Sequence, residues 1–316
     1  MSDSAVSQVR VYAPGGIGNM GPGLDVLGCA VTGAGDVVQL EWTEEPWSGC
    51  LRIEEPGHPE LPRDPSRHAS SIAAMAVLGA SGAKPTRALV MRATKGLPLA
   101  GGQGGSAASA VAGAVAMNTL LGAPLDEQAL LVAALETEAR VAGRHADNVA
   151  PALMGGVVLV RSVDPLDVTR VPFPSRLRVV LVQPDQRLRT SDARAVLPRS
   201  VDRQIAVGQS ANVAALVLSL VRDDVELLRR ALDDRIAEPA RAVLLPGFRE
   251  AKAAALDAGA AGCSISGAGP TSFAFAADDT SATRIAAAMC AAYASRGVTA
   301  TARVARIDER GARVEK

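Results

Sequence analysis

Gly96-Leu97-Pro98-Leu99-Ala100-Gly101-Gly102-Gln103-Gly104-Gly105-Ser106-Ala107-Ala108-Ser109 is a glycine-dense loop that runs straight into an Ala-rich helical pattern continuing to about Leu121. Where loop meets helix the side chains nearly vanish, so backbone N–H groups can converge on an anion while the positive end of the helix dipole faces it. The stretch reads as a phosphate cradle. Taken alone, the same residues also suit a Gly-rich turn before a buried helix.

The chain has 316 residues, more than one hydrophobic core usually organises, and 48% of them are hydrophobic, which fits a two-domain α/β protein. Thirty-three basic residues balance 33 acidic ones, and only Lys84, Lys95, Lys252 and Lys316 are lysines. A neutral chain without a Lys/Arg run offers no footprint for a nucleic acid or an anionic membrane, so a small-molecule partner is expected. Cys29, Cys50, Cys263 and Cys290 show no metal-ligand spacing and read as reduced thiols of a cytoplasmic protein. Neither a leader at Met1–Val6 nor a run of about 18 apolar residues is present, so export and membrane insertion are not expected.

Outward from the loop, strands are expected at Val9 onward, Leu24–Ala30, Val37–Trp42, Cys50–Ile53 and Ala88–Ala93, the third and fourth as a hairpin. Helical spacing runs over Ser70–Leu78 and Leu125–Ala142, and Val157–Val160 follows as a strand. The proline-bearing stretch Asp164–Ser175 reads as the link between domains 1–170 and 171–316. Beyond it, Arg178–Val182, Ser272–Ala276 and Val298–Ile307 read as strands. Val201–Leu220, Val225–Leu232, Phe248–Asp257 and Ala282–Ala294 read as helices.

Two more glycine-rich loops stand beside the first. In Pro14-Gly15-Gly16-Ile17-Gly18-Asn19-Met20-Gly21-Pro22-Gly23-Leu24-Asp25, only Asn19 and Asp25 carry directional polar groups, and these could receive a substrate ammonium and hydroxyl. Gly259-Ala260-Ala261-Gly262-Cys263-Ser264-Ile265-Ser266-Gly267-Ala268-Gly269-Pro270-Thr271 lets backbone approach a second bound group. Each alone is also an ordinary turn.

Together the three loops resemble the pattern of the GHMP superfamily of small-molecule kinases: galactokinase, homoserine kinase, mevalonate kinase and phosphomevalonate kinase. Within it, Asn19-Met20-Gly21-Pro22-Gly23-Leu24-Asp25 is similar to the Asn-Leu-Gly-Pro-Gly-Phe-Asp motif of homoserine kinases. So are His145-Ala146-Asp147-Asn148-Val149-Ala150-Pro151-Ala152 and Glu238-Pro239-Ala240-Arg241. The resemblance implies an α/β (α+β) fold with an N-terminal domain like ribosomal protein S5 domain 2 and a ferredoxin-like C-terminal domain. It also implies Mg-ATP-dependent phosphorylation of L-homoserine for threonine biosynthesis, in a homodimer.

By the same resemblance, Pro98, Leu99, Ala100, Gly101, Gly102, Gln103, Gly104, Gly105, Ser106, Ala107 and Ala108 hold the triphosphate, with Ser106 and Glu138 as Mg²⁺ ligands and Glu136 as rival carboxylate. There is no Walker lysine, so Lys95 is the candidate for phosphate charge, against the reading of a solvated lysine at a strand end. Asn19, Asp25, His145, Asn148, Thr190, Arg194 and Arg241 are the matched homoserine positions, with Asp25, Asn148 and Arg194 closest to the chemistry. A zwitterion wants a carboxylate for its ammonium and a guanidinium for its carboxylate, which suits Asp25 against Arg194 or Arg241. Thr190 and Arg194 share a face only if their segment is helical. Because mevalonate kinase has a catalytic aspartate where Asn148 stands, catalysis without a dedicated base is expected, with Asp25 and Asp147 as fallbacks. His58 and His68 are assigned no role.

Two departures mark the chain. The family's Gly-Leu-Gly-Ser-Ser reads Gly102-Gln103-Gly104-Gly105-Ser106 here, and Gly16-Ile17-Gly18 stands where a Ser-Ala or similar pair precedes the asparagine. A kinase for mevalonate or shikimate, and a non-catalytic nucleotide or amino-acid binder, are the alternatives.

Overall fold

The computed structural model describes residues 7–141 and 143–315. β1 (Gln8–Ile17) alternates buried and open positions before becoming continuously buried. β2 (Leu27–Pro46) returns antiparallel to it, pairing Val9 with Leu40 and Ile17 with Cys29 across a register shift between Pro14 and Gly16. The two strands expected at Leu24–Ala30 and Val37–Trp42 are therefore one strand, in which Gly33, at φ +92°, bends the backbone without ending it.

β3 (Arg52–Glu55) leads through α1 (Ala69–Ser81) to β4 (Arg87–Thr94) and pairs with β4 in parallel. The expected hairpin between β2 and β3 is thus replaced: β4 takes the edge of β2, setting Leu40 beside Met91. α2 (Gly105–Leu120) is buried on nearly every side, which explains its alanines. A Cβ on Gly113 would lie 2.1 Å from Ser70 O, so α1 and α2 touch backbone to backbone.

α3 (Glu127–Val141) and α4 (Ala146–Met154) follow, then the hairpin of β5 (Val157–Val163) and β6 (Leu166–Val171), with Leu159 beside Leu27 of β2. Half of the expected domain link is therefore strand. Pro165 sits in the hairpin turn, Pro172 and Pro174 lie past the strand, and Leu166 and Val168 between them pack on the core.

The second sheet begins with β7 (Arg178–Pro184). α5 (Thr190–Ala195), α6 (Arg203–Arg222), α7 (Val225–Ala231), α8 (Ala237–Arg241), a 3-10 turn at Ala242–Leu244 and α9 (Phe248–Asp257) intervene before β8 (Cys263–Ile265) and β9 (Ser272–Ala276). α10 (Asp279–Ser295) and β10 (Ala300–Ala305) complete it in the order β10-β7-β9-β8. With the helices between β7 and β8 counted as one crossover, this is the split βαββαβ arrangement of ferredoxin-like domains. β11 (Arg313–Val314) then returns to β1, so the tail recrosses to the first sheet.

One apolar cluster spans both sheets. Ile17 and Leu27 from the first, with Met20 from the loop between them, meet Leu181, Phe273 and Phe275 from the second, the two phenylalanine rings edge to face at 5.5 Å. The cleft between the sheets thus has a shared, packed floor.

Candidate active site

A cavity of about 410 Å³ opens where the three glycine loops meet, walled by the start of α2, by α4, by α5 and by the 267–269 loop. Gly104, at φ +68°, caps α2, and no acidic residue occupies its first turn. The first N–H groups of a helix have no partner within it, so those of Gly105 to Ala107 are free for an anion. Pro98, Leu99, Ala100, Gly101, Gly102, Gly104, Gly105 and Ser106 line the cavity. Ala107 and Ala108 lie buried beneath it.

Gly102, at φ +75°, would place a Cβ 2.6 Å from both Ser266 O and Gly269 O. Gly102→Ala is expected to destabilise the fold by about 2 kcal/mol or more, from a strained backbone and a clash with backbone that cannot yield. Equal denaturant midpoints for variant and parent would refute this.

Ser106 Oγ donates to Glu138 Oε2 at 2.7 Å. Burial pushes the Glu138 carboxyl up to about 7 against the lowering effect of that hydrogen bond. Glu136, by contrast, points outward and pairs with Arg144, which separates the two rivals. A hydroxyl and a carboxylate, both hard oxygen donors at the positive end of α2, suit Mg²⁺ with phosphate oxygens and water as its other ligands. Lys95 is no solvated strand-end residue: it is buried, ion-paired to Asp36, and donates to Gly105 O at 2.7 Å and Ser109 Oγ at 2.9 Å. Asp36 also receives the Gly96 and Leu97 N–H groups, at 3.2 Å each, so this pair fastens the loop from beneath.

Across the cavity, Asn19 Oδ1 accepts the N–H of Asp25, and Asp25 adopts φ +60°. This turn aims the Asp25 carboxylate at Arg194, which grips it with both terminal nitrogens, and at His145 Nδ1, 3.3 Å away. Burial alone would raise the Asp25 carboxyl, but the Arg194 hydrogen bond, aided by the Arg194, His145 and Arg241 charges, leaves it below its ordinary range. His145 is lowered, chiefly by burial, against the raising effect of Asp25. Thr190 and Arg194 do share a helix, α5, and both line the cavity. Arg241 is 2% exposed and donates to Gly267 O at 2.9 Å and Ala193 O at 3.2 Å.

Sequence reasoning gave Asp147 only a fallback part, yet it is central to the geometry. Its Oδ2 accepts the Asn19 N–H at 2.7 Å, while its buried Oδ1 has no partner among the described residues. Burial, with Asp25 nearby, pushes its carboxyl from 3.8 up to about 7. The fold therefore keeps this proton over a pH range in which the unfolded chain loses it, so stability declines as pH rises from about 4 to about 7. Asp147→Asn, which removes the ionisation and keeps an acceptor, is expected to raise the melting temperature of the ligand-free protein at pH 8 by about 5 °C. At pH 5 it should change little, and coincident melts at pH 8 would sink the assignment.

His68 was assigned no role from the sequence. It is buried in the cavity wall, with Nε2 3.0 Å from Pro56 O, and is lowered chiefly by burial. The departures from the family pattern have physical partners. A Cβ on Gly18 would lie 2.3 Å from Asn148 Nδ2 and 2.6 Å from Asp147 Oδ2, and one on Gly105 would lie 3.1 Å from Lys95 Nζ. Gln103 turns away from the cavity into the second domain, donating to Gln183 Oε1 at 2.8 Å and accepting from Arg303 Nη2 at 2.9 Å.

Comparison with known proteins agrees with this geometry. The GHMP kinases N terminal domain matches residues 69–156, and GHMP kinases C terminal matches residues 214–295. A homoserine kinase of Chlorobium phaeobacteroides is 43% identical over 90% of this chain and 92% of its own length. One of Arabidopsis thaliana is 43% identical over 97% of this chain and 84% of its own. The crystal structure of homoserine kinase from Cytophaga hutchinsonii superimposes with a TM-score of 0.93 at 40% identity, covering 100% of this chain and 99% of that one. With matched motifs in both domains and a cavity assembled from the same three loops, the chain belongs to the GHMP kinases and, within them, to the homoserine kinase family.

Proposed function

We propose that this protein transfers the γ-phosphoryl group of ATP to the side-chain hydroxyl of L-homoserine, giving O-phospho-L-homoserine for threonine synthesis. One observation carries the acceptor: a single cavity is lined by Asp147, Arg194 and Arg241, with Asp25 held against Arg194, next to a helix N-terminus prepared for phosphates. An amino-acid zwitterion answers both signs of charge at once. Mevalonate and shikimate bring a carboxylate but no ammonium, and would leave a buried carboxyl unanswered.

In this reading the unpartnered Oδ1 of Asp147, with Asp25 beside it, receives the ammonium, and the buried Nε of Arg194, also without a partner among the described residues, receives the carboxylate with Arg241. Asn19, His145 and Thr190 shape the acceptor side, while Asn148 on α4 holds the hydroxyl toward the cradle. Ser106 and Glu138 would hold Mg²⁺, which neutralises developing charge on the transferred group. Lys95 keeps the loop in place through Gly105 O. Asp25 is engaged by Arg194 and His145 and Asp147 by a backbone N–H, so no side chain is left as a dedicated base; alignment and charge stabilisation carry the rate. We further assign residues 1–170 and 171–316 to the two domains and place the protein in the cytoplasm as a homodimer.

The test is ADP release with Mg-ATP and L-homoserine, mevalonate, shikimate or no acceptor, with Ser106→Ala alongside. Homoserine alone is expected to stimulate turnover, and Ser106→Ala to lose most of it. ATP binding with no acceptor-dependent release would instead indicate a binding protein.

A further inference from the structure

Of the residues from Gly101 to Gly105, all but Gln103 are glycine, so the loop that leads into α2 has a single side chain to hold it. Gly102 and Gly104, on either side of Gln103, both have positive φ, at +75° and +68°. Glycine gives the freest backbone, and a loop built of it keeps one shape only where something outside fixes it.

Gln103 is fixed from three directions. Its backbone carbonyl accepts the Gly16 N–H of the first glycine loop at 3.0 Å. Its Nε2 donates to Thr271 Oγ1 of the third glycine loop at 3.3 Å and to Gln183 Oε1 of β7 at 2.8 Å. Its Oε1 accepts from Arg303 Nη2 at 2.9 Å, and the whole residue is 5% exposed.

Arg303, in β10, stands outside the cavity wall. Its Nη1 donates to Thr32 O at 2.6 Å, beside Gly33, where a Cβ would lie 3.3 Å from the same nitrogen. Both acceptors are neutral, and no carboxylate pairs with this guanidinium among the described residues. Burial works against the charge and lowers it from the ordinary arginine range. A cation withdrawn from water without a counter-charge is costly unless good acceptors hold it. Leucine, the residue of the family pattern at 103, offers none. Glutamine has nearly the same bulk and supplies one, so the departure at 103 is explained by an arginine 200 positions away.

We propose that Arg303, acting through Gln103, is a positioning residue for the nucleotide phosphates, a cation of the second domain that sets the phosphate loop of the first. Lys95 and Asp36 fasten the same loop from within the first domain, at Gly105 O, two residues further on. The inference rests on reading this loop as the phosphate site of the nucleotide, and it is independent of which acceptor is phosphorylated.

The test compares Arg303→Met, Gln103→Leu and the double variant by calorimetric titration with Mg-ADP, by KM for ATP and for homoserine, and by thermal melts. Each single substitution is expected to weaken Mg-ADP binding and raise the KM for ATP about tenfold, with the KM for homoserine nearly unchanged. The double variant should lose about tenfold as well, because both changes cut one link. It should also melt above Gln103→Leu, which leaves the guanidinium without its acceptor. If Arg303→Met does not fold, Arg303→Lys keeps the charge but loses the fork that spans Thr32 O and Gln103 Oε1, and should weaken Mg-ADP about threefold. Unchanged Mg-ADP affinity in the Arg303 variants, losses that multiply to about a hundredfold in the double variant, or a parallel rise in the KM for homoserine would each overturn the proposal. A parent that binds Mg-ADP but phosphorylates no acceptor would remove the kinase reading alone, since the affinities still decide the role of Arg303.

Discussion

Glu138→Gln is expected to lower kcat by about 10³-fold with the fold intact. The amide has the shape of the carboxyl and can still accept from Ser106 Oγ, so packing around this 7%-exposed side chain is retained. What disappears is the negative charge. Burial pushes its carboxyl up to about 7, so in the proposed metal site Glu138 would ionise as a divalent cation arrives. Glutamine has no such response, so the Mg²⁺ dependence of turnover should flatten or move to much higher concentration. Steady-state rates across an Mg²⁺ titration, with a thermal melt as the control for folding, decide the matter. Activity within tenfold of the parent would remove Glu138 from the metal site.

Arg194→Lys should raise the KM for homoserine about a hundredfold while leaving the KM for ATP nearly unchanged. Charge is conserved, so a general electrostatic role would survive the change. The planar fork that takes both oxygens of Asp25 would not. Lysine also lacks the Nε that stands buried and unpartnered in the cavity wall. A substitution that raised both KM values equally would show that Arg194 shapes the cleft as a whole.

Much of this was legible in the chain. The glycine loop before α2 declared itself through missing side chains, whereas the four-residue spacing of Thr190 and Arg194 left their shared face conditional until α5 supplied the helix. Asp147 was harder to see. Its importance comes from burial and from one unpaired oxygen, both of which arise only when Asn19, 128 positions away, is brought against it. Asp36 was invisible for a similar reason: a lone acid in β2 gains meaning only from Lys95 on the neighbouring segment. The predicted hairpin of β2 and β3 failed because local alternation specifies a strand but not its partner, and β4 competes for the same edge.

The floor of the cleft is stitched. Thr271 Oγ1 donates to Gly101 O, Ser266 Oγ to Gly102 O, and the Gly267 N–H to Gly18 O, while Gln103 crosses to Gln183 and Arg303. Such a joint cannot gape like a hinge between rigid halves. Leu61, Pro62 and Arg67 line the same cavity above this floor. Bonds that cross the floor tie the two loops together, so strain introduced at Gly101 or Gly102 is carried directly to the 266–271 loop.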